Sequence, residues 1–91
     1  MRYHRSGNVT WELVDERAVI LDARGGTLTT LNPVGTLIWR HLDVPRPSED
    51  VHRHLAARFP EVDADALRSD TDAFIARLAD EGLVVATADG G

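Results

Sequence analysis

The sequence predicts an α+β domain of winged-helix-like order, a three-stranded antiparallel sheet followed by three helices. Three observations carry this expectation. β-Branched and aromatic runs fill the first third of the chain, apolar residues recur at helical spacing through the rest, and glycines and prolines fall where one pattern replaces the other. At 91 residues there is room for one domain over 1–91, its core expected over about residues 9–85. No internal repeat or low-complexity linker divides it.

The strands are expected at Val9 to Val14, Ala18 to Leu21 and Thr27 to Leu31. Asp15-Glu16-Arg17 is a short polar break, and Asp22 to Gly26 ends in two glycines able to take positive φ where the chain reverses. At Asn32-Pro33 the period becomes helical: Asn32 can cap, Pro33 suits the first helical position, and Val34, Leu37, Ile38 and Leu42 form an apolar stripe. Pro45 and Pro47 stop that helix. Ser48 can cap a second one, with Glu49 and Asp50 favouring its N-terminal dipole and Val51, Leu55 and Phe59 on its apolar face. Pro60 ends it. Asp63 can cap the third helix, whose face of Leu67, Thr71, Phe74, Ile75 and Leu78 runs to a C-cap at Gly82. Leu83 to Ala86 is expected as a short extended piece and Thr87 to Gly91 as a loose tail. Trp11 and Trp39 are candidates either for partner anchors or, the reading preferred here, for packing that holds the sheet to the first helix.

Composition narrows the chemistry. The absence of cysteine removes disulfides, thiolate metal sites and a cysteine nucleophile. No apolar run suits a signal peptide or a membrane span, so a cytoplasmic location is expected, without membrane contact. A formal net charge of −5 with scattered basic residues argues against a phosphate-binding surface. His52 and His54 are two apart on a helix, point to different sides and read as solvated surface residues rather than metal ligands. The carboxylates read as caps and solubilising charge. Ser6, Ser48 and Ser69 lack a nucleophile elbow, and Gly25-Gly26 lacks the spacing and lysine of a phosphate loop. The terminal Gly90-Gly91 fits a frayed end better than a ubiquitin-like carrier, because all helices follow three consecutive strands. No catalytic residue, metal or cofactor is therefore expected, and the chain does not read as an enzyme.

A winged-helix order also fits a DNA-binding regulator, with the third helix as reader. From Asp63 to Glu81, however, six carboxylates face two arginines, and phosphate would repel such a helix. The strand Thr27 to Leu31 carries no charge and no proline. At a sheet edge it is either covered by another segment of the chain or open to an added strand. Thr29, at its centre, is the position where a proline is expected to remove a ladder donor and block pairing while the fold survives.

Ile20-Leu21-Asp22 through Gly26, followed by Leu31-Asn32-Pro33-Val34-Gly35-Thr36-Leu37-Ile38-Trp39, resembles the PqqD-like peptide chaperone family, or precursor-peptide recognition elements. Leu42-Asp43, Val51 and Leu55, then Asp70, Phe74, Leu78 and Gly82-Leu83 follow in the family's order, so the resemblance spans roughly Val9 to Val85. It implies a domain that binds the leader of a ribosomally made precursor peptide as an added strand, in a groove completed by the third helix. Carried over residue by residue, Leu28, Thr29, Thr30 and Leu31 would supply backbone and pocket walls. Leu67, Asp70, Thr71 and Phe74 would form the helix side, with Asp70 either orienting a polar or basic leader group or serving as a surface carboxylate. The partners so implied are a precursor leader peptide and a leader peptidase or other modifying enzyme. The family works in quinone-cofactor and lasso-peptide pathways, and general resemblance favours the lasso-peptide setting.

Overall fold

The computed structural model of the protein describes residues 1–88. The expected meander and helices are present: β2 (Val9–Val14), β3 (Arg17–Asp22) and β4 (Thr27–Thr30) form one antiparallel sheet in that order, followed by α1 (Pro33–His41), α2 (Ser48–Arg58) and α3 (Ala64–Asp80). A second small sheet was not anticipated. In it β1 (Arg2–Arg5) lies between β5 (Arg46–Pro47) and β6 (Val84–Thr87), with Arg2 opposite Thr87 and Arg5 opposite Val84. β1 is two arginines around a tyrosine and a histidine, so no apolar alternation announces it. Its pairing corrects the expectation of a tail starting at Thr87, which closes β6. Residues 89–91, including Gly90-Gly91, lie outside the described residues.

In the main sheet Trp11 faces Ile20 and Glu12 faces Val19 across the β2–β3 ladder. The pleat sends Ala18 and Ile20 into the core, where both are fully buried, and Val19 and Leu21 to the outer face. Val14 pairs with Arg17, leaving a two-residue turn in which Asp15 and Glu16 take φ of 51° and 65°. That mirror-image turn matches the sheet twist but favours glycine.

Asn32 caps α1 as expected, its Oδ1 accepting from the Gly35 N–H at 2.7 Å. The apolar stripe is rotated from the expected one. Thr36, Ile38, Trp39 and Leu42 are buried with Gly35, Leu37 is half-buried and Val34 is exposed. The Thr36 hydroxyl accepts the Ala18 N–H at 2.9 Å, turning toward β3 the face that also carries Trp39. Trp39 meets Trp11 edge to face with centroids 6.1 Å apart, so the indoles join helix to sheet as expected. The Arg5 guanidinium lies 5.1 Å and 5.8 Å from the two ring centroids, tying β1 to the same joint.

Ser48 is not the cap of α2. Arg46 pairs with Tyr3, the chain stays extended through Pro47, and Pro47 takes the cap position without a side-chain hydrogen bond. Val51 and Leu55 are fully buried. His52 and His54 are not simply solvated: His52 Nε2 lies 2.7 Å from Asp72 Oδ1, and the His54 ring stacks on His41 at 4.2 Å. Asp63 caps α3 by accepting from the Ala66 N–H at 2.9 Å, and Thr71, Ile75 and Leu78 are buried. Gly82, at φ 77°, reverses the chain into β6.

Two predictions follow from these geometries. Glu16→Gly relieves a left-handed residue and is expected to raise stability by about 1 kcal/mol in urea denaturation, net of the entropy glycine adds to the unfolded chain. His41 titrates below its usual value of 6.5 because of burial first, then the positive charge of His54 and Arg46, against the opposing carboxylates of Asp43 and Asp50. The unfolded chain therefore takes up this proton at a higher pH than the folded one. Stability from this group is present above pH 6.5 and is lost as pH falls from there through the lowered folded value. Urea midpoints are expected to fall more between pH 7.5 and 5.5 for the wild type than for His41→Gln.

Candidate functional site

β4 ends its sheet, and its outer side pairs with no other described strand. The Leu31 N–H donates to the Ala18 carbonyl at 2.9 Å, which sets the alternation along the ladder. Thr27 and Thr29 face β3 in the same way, so the main-chain groups of Leu28 and Thr30 point outward. The free donors thus lie on either side of Thr29, whose own N–H points into the sheet. The expectation that a proline at Thr29 would block an added strand and spare the fold is corrected accordingly.

Two depressions flank this edge. One, of about 530 Å³, is lined by Asp22, Thr27 to Thr30, Glu81 and Leu83. The other, of about 370 Å³, opens where the chain leaves β4 for α1. Its α3 wall is Leu67, Asp70, Thr71 and Phe74, its α1 wall is Asn32, Val34, Gly35 and Ile38, and Phe59 and Val62 complete it. All four helix residues expected from the sequence therefore line one cavity. Of the strand residues, Thr29 and Thr30 border the edge depression. Leu28 offers its backbone there, but its side chain stands 65% exposed on the outer face opposite Leu21. Leu31 is buried in the core and supports the edge from beneath.

Asp22, Asn32, Val34, Gly35, Ile38, Phe59, Val62 and Leu83 were not foreseen as site residues. Val34 and Val62 remain 41% and 42% exposed, apolar side chains facing an opening rather than the core. Gly35 sets how closely α1 and α3 approach: a Cβ built on it would fall 2.7 Å from Phe74 Cζ and 3.0 Å from Asn32 Oδ1. Phe74 is half-buried, with the Arg77 guanidinium 5.3 Å from its ring centroid. Asp70 is exposed and, among the described residues, unpaired. No group of three metal-ligating side chains gathers among the described residues, and no helix there is long and apolar enough to cross a membrane.

Gly35→Ala is expected to destabilise the fold by about 1 kcal/mol, its clash with Phe74 outweighing the better helix propensity of alanine. In a Phe74→Ala background the same substitution should become neutral or stabilising, which a double-mutant cycle in urea would read as coupling.

Residues 17–84 match the sequence profile of the family described as coenzyme PQQ synthesis protein D (PqqD). The fold is similar to that of TbiB1, solved in complex with the TbiA(beta) leader peptide, at 28% identity and a TM-score of 0.84 over 94% of this chain and 99% of that one. It is also similar to a lasso peptide synthetase B1 complexed with the leader peptide, at 24% identity and a TM-score of 0.80 over 92% and 98% of the two chains. No curated protein matches this chain. With more than half its length matched by the profile, and the α+β fold of leader-peptide complexes around an open strand edge, the chain belongs to the PqqD family.

Proposed function

We propose that this protein binds the leader segment of a ribosomally made precursor peptide by strand addition along β4 and presents it to a partner processing enzyme. The observation that carries this reading is the outward-facing main chain of Leu28 and Thr30 beside an apolar cavity walled by α1 and α3. The two solved relatives hold leader peptides, which supports it.

Strand addition uses chemistry any peptide offers. Each main-chain hydrogen bond to the edge contributes about 0.5–1.5 kcal/mol and discriminates little between sequences. Selection then falls to the cavity, where an apolar leader side chain contacts Val34, Ile38, Leu67 and Phe74 and gains about 2 kcal/mol by leaving water. Asp70, exposed and unpaired, orients a polar or basic neighbour. The outward side chains of the docked leader extend the outer-face strip of Leu21 and Leu28, so the processing enzyme meets module and leader as one surface. Holding the leader in one orientation raises its effective concentration at that enzyme, and no acid, base, nucleophile, metal or cofactor is required. The setting is cytoplasmic, and the enzyme is a leader peptidase or other modifying enzyme.

Titration with the synthetic leader of the precursor encoded beside this protein should give saturable binding, and no binding at low salt would overturn the reading. Leu28→Pro removes an outward donor and should weaken binding by about a hundred-fold with the fold intact. Thr29→Pro removes a donor to β3 and should instead destabilise the domain, as circular dichroism during thermal unfolding would show.

A further inference from the structure

The tip of the β2–β3 hairpin, α1 and the end of α2 enclose a separate cleft of about 220 Å³, lined by Leu13, Glu16, Pro33, Thr36, Leu37, Arg40 and Arg58. It shares no lining residue with the two depressions beside β4. Two arginines and one glutamate are the charged residues of its lining, on a chain of net charge −5. Neither Arg40 nor Arg58 has an ion pair among the described residues, so neither guanidinium is already taken by a carboxylate of the chain. Leu13 and Val14, the last residues of β2, are exposed apolar side chains beside the polar Asp15-Glu16 turn. That tip is held in a turn with two left-handed residues and no glycine, while the Thr36 bond to Ala18 fixes the opposite wall.

We propose that this cleft docks an acidic segment of a partner protein, a carboxylate received by Arg40 and Arg58 with a leucine-like neighbour packed on Leu13 and Leu37. Planar guanidinium groups suit carboxylate recognition, and the apolar floor between them selects for a peptide side chain. Nucleic acid fits less well: a phosphate chain needs a row of cations, and Glu16 lies in the cleft. The proposal goes beyond leader binding and stands without it, because the two sites share no residue.

The test uses the full ¹⁵N-labelled chain. The probe is an acetylated, amidated leucine-glutamate-aspartate-leucine peptide, with its glutamine-asparagine analogue as the neutral control. Saturable amide shifts centred on Leu13, Glu16, Leu37, Arg40 and Arg58 are expected, with the neutral peptide about ten-fold weaker. R40E/R58E should reduce acidic-peptide binding by about ten-fold or more while other resonances stay in place. R40Q/R58Q serves the same purpose if the charge reversal unfolds the chain. Equal binding of both peptides, shifts centred on the β4 edge or on Arg24 and Arg68, or no shift at about 10 mM peptide would overturn the proposal. So would single-stranded DNA of about a dozen nucleotides occupying the cleft as tightly as the acidic peptide.

Discussion

Ala18 donates its N–H to the hydroxyl of Thr36 and accepts from the N–H of Leu31, so one residue of the central strand anchors both the first helix and the end of the outer strand. The rest of the domain is arranged around that junction. The donation to Thr36 sets the rotation of α1, which places Trp39 against Trp11 and leaves Val34 at the surface. The acceptance from Leu31 sets the alternation along β4 and hence which amides face outward. Because these bonds are buried, losing either would leave a polar group unsatisfied at a cost of about 1–3 kcal/mol, well above the net value of a typical hydrogen bond.

Much of the fold was legible because its signals are local. Asn32-Pro33 and Asp63 mark helix starts by the chemistry of capping, and the structure places both caps where the residues imply. What escaped depends on distant partners. Tyr3 and His4 form a strand only because Val84 to Ala86 lie alongside, and Pro47 precedes α2 only because Arg46 is already paired with Tyr3. The rotation of α1 was hidden for the same reason, since a helical period of apolar residues does not say which edge of a broad face meets the sheet.

The candidate site was half legible. Spacing on α3 brought Leu67, Asp70, Thr71 and Phe74 to one wall, but the opposite wall comes from Val34, Gly35 and the Phe59–Val62 bend, which only tertiary packing brings near. On the strand, composition identified the edge without its phase, and phase decides the role of each residue. Leu28 lines the edge depression and, with its side chain on the outer face, also a hollow beside Val19 and Leu21. The proposed role needs few exact side chains. Open amides, an apolar hollow and a fixed angle between α1 and α3 suffice for it.

β4 is only four residues long. Its two outward-facing residues grip a short length of chain, and in the proposed role that brevity governs timing as much as recognition. Among related complexes, differences in affinity lie mostly in how fast the partners separate. A ligand held by a few main-chain bonds and one seated side chain leaves readily once its processing is complete. A longer edge would hold the cleaved leader more firmly and would be slowed by its own product. In the proposed role the short strand would let one copy of the protein serve many precursors in succession.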